Sequence, residues 1–229
     1  MSASQAKSLA STYFLAKVFN WMAIGLGLTA VAALIVANVA PVRQLVFGNP
    51  IILFGMFFGE LGLVFYLSAR IQKISAQRAT GLFMLYSILN GATLSGILLV
   101  YTKTSIATAF FVAGGMFAAM AVYGTVTKKD LSGWGSFLFM GLIGMVIVSV
   151  VNIFLGNAMI QWVVSAVGVL VFTGLTAYDV QQITRMGENG IMESGEVAIR
   201  KFAIIGALKL YLDFINLFIS LLYLFGDRR

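Results

Sequence analysis

Residues 206–226 read GALKLYLDFINLFISLLYLFG, an apolar run that carries Lys209, Asp213, Asn216 and Ser220. Its length suits a membrane-spanning helix, since about 20 residues cross a hydrocarbon layer about 30 Å thick. The four polar residues are spaced 4, 3 and 4 apart. Residues three and four apart share one face of a helix, so the spacing predicts a single polar stripe. Lipid cannot solvate such a stripe. The last helix is therefore expected to lie inside the protein, with the stripe facing other helices or water. An ionisable residue at the centre of a span is costly and is a functional candidate for that reason.

The rest of the chain fits the same setting. Of its 229 residues, 60% are hydrophobic and 10% charged. A soluble domain is about half apolar and about a quarter charged. Seven apolar runs cover roughly 18–40, 51–69, 80–101, 105–126, 134–155, 160–183 and 202–225. They do not alternate polar and apolar residues, which excludes a transmembrane barrel. Helices are the remaining way to satisfy the backbone in lipid. The expected fold is all-α: a polytopic membrane protein with seven transmembrane helices, in one bundle domain over 1–229. The first run is too long for the core of a signal peptide and is read as a retained span. The two prolines, Pro41 and Pro50, flank the first connection as breakers. Pairs such as Gly55 and Gly59, Gly114 and Gly115, and Gly141 and Gly144 are expected to let helices pack closely.

Charge placement predicts orientation. With a cytoplasmic N-terminus, ten basic residues face inward (Lys7, Lys17, Arg70, Lys73, Arg78, Lys128, Lys129, Arg185, Arg200, Lys201). Four face outward: Arg43, Lys103, Arg228 and Arg229. Seven spans put the basic tail outside, whereas a re-entrant sixth or seventh segment would put it inside. No basic run is interleaved with aromatics in the manner of a nucleic-acid surface. The chain has no cysteine and no histidine. Thiolate chemistry and the usual base for a serine nucleophile are therefore excluded. No cofactor is expected, and titration near neutral pH is left to carboxylates.

A second acid lies in the sixth span. GLTAYDVQQI at 174–183 carries Thr176, Asp179 and Gln182 at spacing 3 and 3. Asp179 is near the inner end of its helix, and the seventh span enters from the same side, so Asp179 and Asp213 are expected to approach each other. Two carboxyls in a low-dielectric site cannot both ionise easily. Such a pair responds to protons without histidine. Arg70, at the inner end of the second span, could latch an ionised Asp179 through paired hydrogen bonds; a snorkelling anchor is the other reading of it. Glu60, Asn90 and Asn152 lie within spans and could line a path for a hard cation, which prefers oxygen ligands. Asn90 and Asn152 are also plain candidates for interhelical hydrogen bonds, and Asp213 for an ion pair with Lys209.

GLTAYDVQQI, the 206–226 stretch and TKKDLSGWGSFLFMGLIGMVIVSVVNIF at 127–154 together resemble the Bax-inhibitor family of membrane proteins, and the short N-terminal tail resembles bacterial members. The resemblance implies a seven-helix bundle with the last helix central, in a bacterial inner membrane. It implies a pH-sensitive calcium leak, with Asp179 and Asp213 as sensor and transient calcium contacts, and Arg70 as latch. Glu60, Lys209 and Asn216 would line or tune the path. Partners would be lipid, calcium ions and other membrane proteins, with no nucleic acid and no catalysis. Two further readings stand beside it. One is a non-conducting regulator that binds other membrane proteins. The other is an intramembrane aspartyl protease, disfavoured because neither a Gly-x-Gly-Asp at the second acid nor a later proline is present. Lys209 departs from the family pattern; pointing inward, it would favour an ionised Asp213 and repel a divalent ion.

Overall fold

The computed structural model describes residues 3–229 and is built from α-helices, with no strand among the described residues. In chain order they are α1 (Ala3–Asn38), α2 (Ala40–Phe47), α3 (Pro50–Arg70), α4 (Ala76–Val100), α5 (Lys103–Val126), α6 (Ser132–Leu155), α7 (Ala158–Glu188) and α8 (Glu196–Phe225). All but α2 are long and apolar enough to cross a membrane, which makes seven. These seven correspond to the seven runs in the sequence, with three larger extensions, one of them the six residues from Glu196 that open α8. Helix α1 begins about four turns before the first apolar run, and α7 continues through Glu188. The added turns are polar, so hydropathy does not register them, yet they hold no proline that would stop a helix.

Helix α2 is an addition to the expectation. Pro41 and Pro50 start helices α2 and α3 rather than merely ending their predecessors. Proline suits a first turn, where its missing N–H has no partner to lose. The Asn49 side chain caps α3, accepting from Ile51 N at 2.9 Å.

The helices fall into two compact units. The first takes in the chain up to Val100 together with Arg185–Tyr211; the second takes in Tyr101–Thr184 and Leu212–Arg229. In the first unit, α1 packs on α4, and α3 on α4 as well. Helix α1 buries Ser11, Phe14, Val18, Met22, Gly25, Thr29, Ala33 and Val36, one stripe at spacings of three and four. Gly91 of α4 is where the two backbones meet: a β-carbon there would collide with the carbonyl oxygen and Cα of Thr29. At one end of this unit Lys201 Nζ donates to Gln72 O at 3.0 Å. Nearby, Arg200 Nε donates to Thr80 Oγ1 at 3.1 Å and the guanidinium stacks over Trp21.

In the second unit, α6 turns into α7 through Gly156, whose φ of 60° suits glycine. Asn152 holds this turn: its amide donates to Asn157 O and its carbonyl accepts from Asn157 N. Asn152 is thus a turn clamp. The chain's tail lies against the α4–α5 connection, with Thr102 N donating to Asp227 O at 3.1 Å and Asp227 N to Ser105 Oγ at 2.9 Å. Arg228 stacks over the Tyr101 ring. The tail therefore sits on the same side as residues 101–103, as seven crossings require.

The expected close-packing glycines are mostly others. Of the six quoted pairs' members, only Gly141 would bring a β-carbon near a neighbour, the Val171 side chain. Besides Gly91, the crowded positions include Gly124, against Ala177, and Gly187, against Ser11.

Candidate functional site

Helix α3 buries only Glu60 and Leu67. A buried carboxyl group must find hydrogen-bond partners or pay a large desolvation penalty. Asn90 and Thr93, three apart on α4, supply them: Asn90 Nδ2 donates to Oε2 at 3.1 Å and the Thr93 hydroxyl contacts Oε1. Asn90 Oδ1 in turn accepts from the Tyr211 hydroxyl of α8 at 2.9 Å. The Tyr211 oxygen lies 2.7 Å from Thr29 Oγ1 on α1. Thr29 Oγ1 is 2.9 Å from both Ser87 O and Gly25 O. One chain of polar contacts thus ties α1, α3, α4 and α8 together within the first unit. Tyr211 is fully buried, with Tyr86 and Phe83 edge-on to its ring. Among the described residues, none forms an ion pair with Glu60.

Asp179 of α7 and Asp213 of α8 both belong to the second unit and are 8% and 4% exposed. Thr176, one turn before Asp179, is fully buried and donates to Phe172 O at 2.8 Å. Phe214, beside Asp213, meets Phe110 and Phe117 of α5 edge-on. Helix α8 is the most enclosed of the spans: its most apolar stretch is 67% buried, against 11–33% for the others.

Lys209 breaks the expected stripe. It is exposed, whereas Asp213 and Ser220 are buried. Asn216 is half-buried and its amide donates to Leu212 O of its own helix at 2.8 Å. Arg70 ends α3 in the first unit and is exposed. No group of three or more Asp, Glu, His or Cys residues able to hold a metal occurs among the described residues. Asp179 and Asp213 therefore have no third carboxylate to complete a calcium cage.

Sequence reasoning found the acids and Asn90 but not Thr29, Thr93 or Tyr211, whose hydroxyls complete the Glu60 cluster. A tyrosine in mid-span is the one signal that pointed there, since a buried phenol needs a polar partner. Gln181 was also passed over in favour of Gln182. It is Gln181 that is buried, accepting from Leu131 N and donating to Lys129 O, so that α7 holds the α5–α6 connection.

Comparisons with known proteins agree with this architecture. The profile of the family described as inhibitor of apoptosis-promoting Bax1 matches residues 11–229. The Escherichia coli K12 inner membrane protein YbhL is 53% identical over 216 residues, covering 94% of this chain and 92% of YbhL. A Borreliella burgdorferi protein is 44% identical, with the same coverage of 94% and 92%. The Rickettsia prowazekii protein RP147 is 42% identical, covering 94% of this chain and 90% of RP147. With seven apolar helices and a family match over nearly its whole length, this chain belongs to the Bax inhibitor family of membrane proteins.

Proposed function

We propose that the protein is a pH-sensitive calcium leak of the bacterial inner membrane, with Asp179 and Asp213 as its proton-responsive pair. The observation that carries this reading is the burial of both acids, on consecutive spans and within one compact unit. Ionised carboxylates are expensive to bury, so proton uptake changes the energetics of the surrounding helices strongly. Their oxygens are the ligand type a hard cation prefers. Two carboxyls without a full cage suit brief contact with a passing ion rather than storage. The name of the E. coli relative supports the inner membrane. The bias of ten basic residues to four supports a cytoplasmic N-terminus. Arg70 acts as the latch in this reading and no residue is assigned a catalytic role.

Protonation removes charge from the pair and loosens any cation held against it, so flux rises as pH falls. The test uses purified protein in calcium-loaded liposomes, with flux followed between about pH 5 and pH 8. Wild-type flux is expected to increase toward the acid end, and Asp213→Asn to flatten that dependence. Absence of flux across the whole range rules out the leak and favours a regulator that binds other membrane proteins.

A further inference from the structure

Proton counting at Glu60 leads to a separate conclusion, independent of whether the aspartates form a switch. Thr93 has one hydroxyl proton and three acceptors in reach: Glu60 Oε1, Leu89 O at 2.8 Å and Asn90 O at 3.3 Å. One proton serves one of these acceptors at a time. All the contacts are made at once when Glu60 carries a proton of its own. Glu60 then donates to Thr93 Oγ1, and Thr93 donates to Leu89 O. Asn90 Nδ2 still donates to Glu60 Oε2, and Tyr211 to Asn90 Oδ1. Each of these protons has one acceptor, and the cluster is neutral. In the ionised alternative a full negative charge sits in an apolar helix, held by two neutral donors.

The groups facing Glu60 do not offset that charge. Among the described residues, Tyr86 of α4 and Tyr211 of α8 are titratable side chains within electrostatic reach of Glu60, and neither is cationic. On α3 itself the other ionisable residues are Tyr66 and Arg70, both exposed. Helix α1 contributes a threonine to the cluster, not a charge.

We infer that Glu60 is a proton-binding site in its own right, occupied in this state by a proton shared with Thr93. Loss of the proton needs no rearrangement of heavy atoms within the cluster. The Thr93 hydroxyl proton swings from Leu89 O to Glu60 Oε1, and both forms keep two hydrogen bonds on the carboxyl group. Thr93 is a positioning residue for this proton and Asn90 fixes the other oxygen.

Infrared spectroscopy of the full chain in lipid bilayers at neutral pH tests the assignment. A protonated-carboxyl C=O band is expected to shift to lower frequency when glutamate carboxyls carry carbon-13. The other three glutamates, Glu188, Glu193 and Glu196, are exposed, and Glu60→Gln separates their bands from that of Glu60. The band is expected to persist in Asp179→Asn and Asp213→Asn, to vanish in Glu60→Gln, and to move to higher frequency in Thr93→Val as a hydrogen bond is lost. A wild-type spectrum with no glutamate-labelled acid band overturns the proposal, as does a band that survives Glu60→Gln. A band unmoved by Thr93→Val overturns the sharing of the proton. The labelling arm needs no substitution and tests the proposal even if Glu60→Gln does not fold.

Discussion

Glu60 and Asp213 are both buried acids in apolar helices, 8% and 4% exposed, yet their settings differ in kind. Around Glu60 the neighbours are an amide, hydroxyls and carbonyls, drawn from three other helices. The other acid buried in Asp213's unit is a second carboxyl, Asp179 on the adjacent span. Neutral partners can satisfy an acid completely and tie helices together. A second acid cannot do that in both protonation states, because two negative charges repel in a low dielectric. The first arrangement favours rigidity; under the proposed function the second responds to protons. Tyr211 and Asp213 stand two residues apart on α8, so one helix serves both.

The largest test of this contrast is at Gly91. A bulky side chain there pushes α1 away from α4 and pulls Thr29 out of the cluster. Gly91→Leu is expected to cost about 3 kcal/mol or to abolish folding, since overpacking forces backbone shifts. Thermal unfolding in detergent measures it, and a near-wild-type melting temperature would show that the cluster does not depend on this approach. Tyr211→Phe is expected to cost less, about 1–2 kcal/mol, by removing the donor to Asn90 Oδ1. It should lower the melting temperature while leaving the pH profile of calcium flux in place. If the profile flattens as in Asp213→Asn, the two regions are one system and the contrast fails. The smallest effect is expected from Lys209→Gln. Lys209 is exposed, where solvent screens a charge, so the pH midpoint of flux is expected to move by about a few tenths of a pH unit at most, and a larger shift would mean that the lysine tunes the buried acids.

Much of the fold was legible because lipid imposes a simple rule of length and polarity. All seven spans could be seen that way, whereas α2 could not, being eight residues long with a proline in its first turn. The site was legible in part for the same reason: charges stand out in apolar runs, so Glu60, Asp179 and Asp213 were conspicuous. Their uncharged partners were not, since threonine and tyrosine are ordinary in spans and only a third helix reveals what they touch. Lys209 shows the limit of spacing arguments. Four residues advance a helix by about 400°, so i and i+4 are offset by about 40°. That offset is enough for one residue to fall outside a buried sector that contains the other. The glycines show a related limit, because a small residue marks a close approach only when another helix occupies that side.

The pinned tail has a mechanical consequence. With Asp227 bonded to Thr102 and Ser105, and Arg228 stacked on Tyr101, the far end of α8 is moored to the start of α5. A piston-like slide of α8 along its axis would have to tear those bonds, whereas a tilt about the moored end would keep them. Within its own unit, the moored end is thus the fixed point about which the last turns of α8 can pivot.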